Sequence, residues 1–216
     1  MQPNDTGTKI EEKIFDLVYE LALRDAVSQK AYAGEKKHLY KAKKPRKLAR
    51  DYIDGILHGK RPEFYDVAHK IEKAFDDNKF TFGNAQKLIN MIAKYMYIAY
   101  YQSEDKAALR EKFRGCHCPM DRIMIDKVIS KLKEMLINKD DVEKIEQFTK
   151  PAKGYIVKDE NGIEKTVKWT TFLKQPWSKM QDGSEQYKLF QSIVKYLSER
   201  ENIIPVEYDY LIWESK

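Results

Sequence analysis

The 216-residue chain has little of what would place it in a membrane, outside the cell or among disordered proteins. No apolar run approaches the roughly 18 residues that a membrane-spanning helix needs. The opening residues carry acids and no apolar signal-peptide core, so we expect an intracellular, cytoplasmic protein without membrane partners. Seven prolines and nine glycines exclude a collagen-like or low-complexity chain, and 42% hydrophobic residues indicate a folded core.

Cysteine is almost absent, and Cys116 and Cys118 are separated only by His117. They are too close in sequence for a disulfide between them to cross-link distant parts of the fold, which agrees with a reducing compartment. Zinc takes thiolate and imidazole ligands, but a site needs about four and the spacing is not the usual one. A thiol nucleophile beside the imidazole is a further alternative. We interpret both cysteines as small buried residues under the next helix, and we expect no metal site.

Motifs of several large enzyme classes are also missing. The sequence contains no Walker-type glycine-rich loop, no G-x-S-x-G and no H-E-x-x-H. Their absence argues against a P-loop nucleotide hydrolase and against a zinc protease. We expect no cofactor.

Positive charge is in modest excess, with 40 Lys and Arg against 34 Asp and Glu. Such an excess suits nucleic acid but is also an ordinary solubility device. The excess is concentrated in one run, which we predict to be a loop that Pro45 breaks before a helix over residues 46–57. Basic residues set against phosphates release counterions, so the run is a candidate nucleic-acid surface or, alternatively, a solvated basic loop. Its members are Lys36, Lys37, Lys41, Lys43, Lys44, Arg46, Lys47 and Arg50.

Hydrophobic periodicity predicts a mainly α fold with a small C-terminal β-hairpin element. Helices are predicted over residues 10–33, from Pro62, over residues 85–101, from Pro119 and over residues 184–200. Residues 85–101 are apolar around most of the circumference and should form the most buried helix. Residues 102–114 are predicted to be a charged connector, and the tail from residue 203 is β-prone.

The pattern of hydrophobic residues changes after Asn138. Alternating runs flank Asp159-Glu160-Asn161-Gly162, which predicts a hairpin. We therefore divide the chain into a helical domain, 1–150, and a part, 151–216, that packs on it as one compact unit. The second part also holds an aromatic set that suits a second core, a binding pocket or a partner surface: Trp169, Phe172, Trp177, Tyr208, Tyr210 and Trp213.

One lysine and one aspartate stand at helix starts in a pattern that suits amine chemistry. Lys87 follows a bend containing Gly83, in the first turns of the apolar helix, and Asp121 opens the next predicted helix. Desolvation beside an apolar surface can make an amine nucleophilic, and helix N-terminal amides keep a carboxylate ionised. The alternatives are a lysine on a solvated helix face and an ordinary helix-start acid three residues after a Cys118 N-cap.

The segment GNAQKLIN followed by CPMDRIMIDKVI resembles the hairpin lysine and the downstream Pro-x-Asp segment of the helix-hairpin-helix DNA glycosylases. The resemblance covers about forty residues. It implies that Lys87 attacks the sugar carbon of a damaged nucleotide. It implies that Asp121 activates the attack and stabilises the cationic sugar.

The sequence therefore favours a protein that acts on or binds nucleic acid, in its sharpest form a DNA base-excision glycosylase-like enzyme. The alternative is a non-catalytic protein-interaction module of phage or mobile-element origin. That module would engage a protein partner through the central helix and the aromatic C-terminal part. Convergence of Lys87 and Asp121 in a basic cleft of the folded chain would favour the enzyme, and side chains on separate solvent faces would favour the interaction module.

Overall fold

The computed structural model describes residues 5–28, 31–102, 105–151, 154–158, 161–181 and 184–214, with side chains from residue 9 to residue 212 within these ranges. The described chain is mainly helical with one small antiparallel sheet near its C-terminal end, which confirms the predicted fold class. The elements are α1 (Asp5–Ala26), α2 (Lys37–Lys41), α3 (Lys43–Leu57), α4 (Phe64–Ala74), α5 (Phe82–Tyr100), α6 (Lys106–Phe113), α7 (Arg122–Ile137), α8 (Val142–Thr149), β1 (Tyr155–Lys158), β2 (Glu164–Val167), α9 (Trp169–Leu173), a 3₁₀ turn (Trp177–Lys179), α10 (Glu185–Arg200) and α11 (Pro205–Glu214).

Helix α5 is the centre of the fold. Every side chain from Phe82 to Lys94 is buried, and α1, α3, α4, α6, α11 and the 3₁₀ turn all pack against the helix. The prediction that residues 85–101 form the most buried helix is supported by Leu88 and Ile92, which are 0% and 1% exposed. A reciprocal cap between Thr81 and Asn84 begins the helix, because each side chain accepts the other residue's backbone N–H.

The predicted helix over residues 46–57 lies within α3, but the basic run does not form a loop before that helix. It forms α2 and the first half of α3, and Pro45 is the third residue of α3. A proline is tolerated there because backbone N–H groups in the first helical turn have no partner within the helix. The prediction that Pro45 breaks the run was therefore wrong.

Two segments became helices against expectation. Residues 106–113 form α6, which Asp105 caps by accepting the Ala107 N–H, and the helix buries Leu109 and Phe113 on one face. The β-prone tail forms α11, with Val206, Tyr208 and Asp209 buried. Both segments pack against α5. In α11 this tertiary contact outweighs the β preference of the aromatic and β-branched residues, whereas the Ala, Leu, Arg, Glu and Lys residues of α6 are themselves good helix formers.

Helix α1 ends earlier than predicted, at Ala26. The Asn84 side chain donates hydrogen bonds to the carbonyl oxygens of Ala26 and Ala31, which holds the segment after the helix against α5. The apolar side chains of α1 are buried in only one half of the helix. Its C-terminal half is buried, whereas Ile10 and Leu17 are exposed by 56% and 60%.

The predicted hairpin is present. Strands β1 and β2 pair antiparallel, with Tyr155 opposite Val167 and Lys158 opposite Glu164. Gly162 has a positive φ of 77°, and Asp159 and Glu160 lie outside the described residues. Among the described helices, none combines the length and the apolar character required to cross a bilayer.

Candidate active site

Lys87 and Asp121 meet in the folded chain. The Lys87 Nζ donates a hydrogen bond of 2.8 Å to Asp121 Oδ2, across 34 residues of sequence. The two side chains are 10% and 20% exposed, so the pair is largely withdrawn from water but reachable from it. A charge pair at this distance in a partly desolvated setting is held much more firmly than one on the surface.

The carboxylate of Asp121 is oriented by the helix that it begins. Asp121 is the N-cap of α7, and its Oδ1 accepts the backbone N–H of Met124 at 3.0 Å. The predicted N-cap, Cys118, lies three residues before this point, so that assignment was wrong. One carboxylate oxygen therefore caps α7 while the other faces the lysine, which fixes the direction of the side chain.

Three buried amides hold the segment that leads to Asp121. The Gln86 Nε2 donates to the carbonyl of Met120 at 3.1 Å, and the Gln191 Nε2 donates to the carbonyl of Cys118 at 2.7 Å. The Gln191 Oε1 accepts the Cys118 N–H at 3.1 Å, and the Asn90 Nδ2 also faces the Cys118 carbonyl. The segment is thereby fixed between α5 and α10, which places Asp121 relative to Lys87.

The Trp177 ring lies next to the Lys87 amine. The ring centroid lies 5.1 Å from the Lys87 Nζ, a cation–π distance. The Thr81 hydroxyl donates to the Ser178 carbonyl at 2.7 Å, and the Gly83 N–H donates to the Met180 carbonyl at 3.3 Å. These bonds hold the 3₁₀ turn against the first turn of α5, and so they position the tryptophan.

Gly83 is required by this close approach. A Cβ built on Gly83 would lie 2.0 Å from the Trp177 carbonyl oxygen, whereas one built on Gly55 of α3 would have no neighbour closer than 3.7 Å. We expect Gly83→Ala to lower the free energy of unfolding by about 1–3 kcal/mol, since backbone must move. Gly55→Ala, the matched control, should be neutral or stabilising by up to about 1 kcal/mol. Urea denaturation measures both, and a Gly83→Ala protein as stable as the parent would contradict the contact.

A second lysine–aspartate pair lies seven residues further along α5. The Lys94 Nζ donates to Asp209 of α11, and the two side chains are 11% and 4% exposed. The Lys94 Nζ also lies 4.8 Å from the Tyr210 ring centroid. Asp209 is more enclosed than Asp121, so the pair at Lys87 is the one that a substrate reaches more easily.

The two cysteines are buried, as interpreted, and they are free. Burial raises the pKa of the Cys116 thiol to about 12 and that of Cys118 well above its usual range. Burial also lowers the pKa of His117 to about 4. Protonated thiols beside an uncharged imidazole do not suit nucleophilic catalysis. Within the described ranges, no group of three or more His, Cys, Asp or Glu residues could hold a metal.

The basic run divides into structural arginines and outward lysines. Arg46 donates to Asp16 and Glu20 of α1, and its guanidinium lies over the Tyr19 ring. Arg50 donates to Asp54 and lies over the Phe15 ring. Lys36 is half-buried at the start of α2. The exposed members are Lys37, Lys41, Lys43, Lys44 and Lys47.

No family model matches this chain, and no curated protein or solved structure is significantly similar to it. Function is therefore argued from the geometry of the site. Of the predicted residues, Lys87 and Asp121 are brought together, whereas the basic run lies on α2 and α3.

The sequence analysis missed the amides that build the site. Gln86, Asn90 and Gln191 are buried polar residues, and the first two stand in the most apolar helix of the chain. A buried polar side chain must find a partner, so a glutamine or asparagine in such a helix is itself a signal. In the aromatic set, Trp177 lies at the candidate site, and the side chain of Trp213 is outside the described residues.

Proposed function

We propose that this protein is a DNA base-excision glycosylase-like enzyme that uses Lys87 as its nucleophile and Asp121 as its acid–base partner. The observation that carries the proposal is the 2.8 Å contact between Lys87 Nζ and Asp121 Oδ2. Amides from α5 and α10 fix the backbone that leads to the aspartate, which is the rigid support that a reacting pair needs.

The proposed chemistry begins with proton transfer from the Lys87 ammonium to the Asp121 carboxylate. The neutral amine attacks C1′ of a damaged nucleotide, and the bond from C1′ to the base breaks with its electron pair leaving on the base. The proton on Asp121 passes to the departing base, which restores a carboxylate beside the cationic sugar. The sugar ring then opens as a C=N bond forms, and the amine proton moves to the ring oxygen.

Access to C1′ requires that the nucleotide leave the base stack. The partly exposed Trp177 ring, next to the Lys87 amine, offers a surface on which an extruded base can stack. The lysine, the carboxylate and the aromatic ring thus supply the nucleophile, the acid–base group and a base platform.

Borohydride trapping tests the proposal. The protein is incubated with duplexes that each carry one damaged base or an abasic site, and borohydride reduces any C=N bond to a stable amine. We expect a covalent protein–DNA adduct with at least one lesion, and mass spectrometry of its peptides should identify Lys87. No adduct across the panel, or an adduct on another lysine, would refute this mechanism.

The lysines of α2 and α3 are proposed to contact DNA phosphates. Replacing Lys43, Lys44 and Lys47 by Glu should weaken duplex binding and lower the slope of log affinity against log salt by about two to three. A gel-shift titration at two salt concentrations measures both. The control is a triple variant in which Lys131, Lys133 and Lys158 are replaced by Glu, which makes the same change in net charge elsewhere on the chain. If this control weakened DNA binding equally, the basic run would be a solvated surface and not a DNA-binding one.

One observation favours the alternative function, a protein-interaction module. Ile10, Ile14 and Leu17 recur at helical spacing on α1 and are exposed by 56%, 38% and 60%. Contiguous exposed apolar residues are typical of protein-binding surfaces. The central helix itself is buried in its own fold, so it does not provide the surface that the sequence analysis assigned to this module.

A further inference from the structure

A deep cleft of the described chain lies apart from the lysine–aspartate pair. Its volume is about 900 Å³, and neither Lys87 nor Asp121 is among the residues that line it. It runs between α6 and α10, with the segment of Cys116 and His117 at its floor. Five cations line it: Arg61, Arg110, Arg114, Lys188 and Lys195.

The positive charge of the cleft exceeds its negative charge. Glu199 is the acid among the described lining residues. Glu111 accepts a hydrogen bond from Arg61 and forms an ion pair with Arg114, both at 3.0 Å, so one carboxylate pairs with two cations. Arg110 donates to Glu207 at 2.8 Å, and Lys188 pairs with Glu185. Lys195 pairs with Glu199 at 4.0 Å. The five cations therefore face four acids, Glu111, Glu185, Glu199 and Glu207, which leaves an excess of one positive charge, and the arginine pairs hold the guanidinium groups at the wall.

The cleft is elongated. Lys188, Ser192, Lys195 and Glu199 recur at helical spacing on one face of α10, which extends over roughly 16 Å at about 1.5 Å per residue. The rings of Tyr65 and His117 meet at the floor, with centroids 6.1 Å apart. Separated cations along a groove with aromatic rings suit a chain of phosphates that carries bases better than they suit a single anion.

We propose that this cleft binds consecutive phosphate groups, as a single strand of nucleic acid presents them. The inference is independent of the amine chemistry at Lys87, because no residue of that pair lines the cleft. A nucleoside triphosphate carries the same phosphate chemistry, and competition distinguishes the two sources.

The test uses a fluorescent oligothymidylate of about twelve nucleotides, within the usual site size of roughly 4–16 nucleotides. Fluorescence anisotropy at two salt concentrations compares the parent with Lys188→Glu/Lys195→Glu. The matched control is Lys131→Glu/Lys158→Glu, which changes net charge equally and also replaces lysines that pair with nearby acids. Arg114→Glu, a substitution of a 67% exposed residue on the α6 side, is the second variant.

We expect the α10 variant to weaken binding at least about tenfold and to lower the salt slope by about 1.4, since each single-strand phosphate contact contributes about 0.7. Arg114→Glu should weaken binding in the same direction, and the control should bind like the parent. Displacement by adenosine triphosphate or tripolyphosphate would identify free oligophosphate as the source, and resistance to both would identify the strand.

Two results would overturn the proposal. One is that the parent binds neither the oligonucleotide nor adenosine triphosphate. The other is that the control weakens binding as much as the α10 variant does, since this would reflect net charge alone. Borohydride trapping and strand binding are measured in separate experiments on the parent protein, so the failure of the trapping chemistry and the failure of strand binding are separate outcomes.

Discussion

Lys87→Gln and Lys87→Arg should both abolish the borohydride-trapped adduct while leaving DNA affinity nearly unchanged. The glutamine removes the amine. The arginine keeps a cation that can pair with Asp121, but a guanidinium stays protonated and does not form a Schiff base. Loss of the adduct in the arginine variant would therefore show that the reaction needs the lysine amine and not only a cation paired with Asp121. An adduct in either variant would show that another amine reacts.

Asp121→Asn completes this series. Asparagine is as good an N-cap as aspartate, so α7 should begin normally. The variant lacks the carboxylate that takes the Lys87 proton, and general acid–base groups contribute typically about 10²–10⁴-fold to rate. We expect the rate of adduct formation to fall by that order, together with some loss of thermal stability, because the largely buried Lys87 ammonium loses its counter-charge. An unchanged rate would confine Asp121 to its capping role.

The predictable parts of the fold were those with a strong local pattern. Apolar residues around most of the circumference of 85–101 indicated burial, and alternation around Asn161-Gly162 indicated the hairpin. Helix α11 was not predictable in the same way. Its aromatic and β-branched residues favour a strand, and its helix is fixed by packing on α5, including the ion pair between Asp209 and Lys94.

The two reacting residues of the candidate site could be predicted from the sequence, but the contacts that hold them together could not. Lys87 stood out in the first turns of the apolar helix and Asp121 at the start of the next helix, but sequence spacing alone says nothing of a 2.8 Å contact. That contact depends on long-range bonds such as those of Gln191 with Cys118, 73 residues apart. The basic run was recognisable by composition, while the division between paired arginines and exposed lysines required the position of α1.

We expect a large loss of folding stability when Lys94 is replaced. Lys94→Met should lower the free energy of unfolding by about 3–5 kcal/mol, because Asp209 would keep a buried carboxylate without the lysine's charge. The Lys94 carbonyl also accepts the Tyr210 hydroxyl at 3.1 Å, so this turn of α5 anchors two successive residues of α11. Chemical denaturation measures the loss.

Two further variants separate the ion pair from its surroundings. Lys94→Met/Asp209→Leu replaces both charges by apolar groups and should recover most of the lost stability, since a well-packed apolar pair often matches a buried ion pair. Lys131→Met removes a lysine whose partner, Glu134, is 59% exposed, and should change stability by less than about 0.5 kcal/mol. If Lys94→Met were as mild as Lys131→Met, α11 would not depend on this pair for its docking. The β-prone tail would then need another reason to be helical.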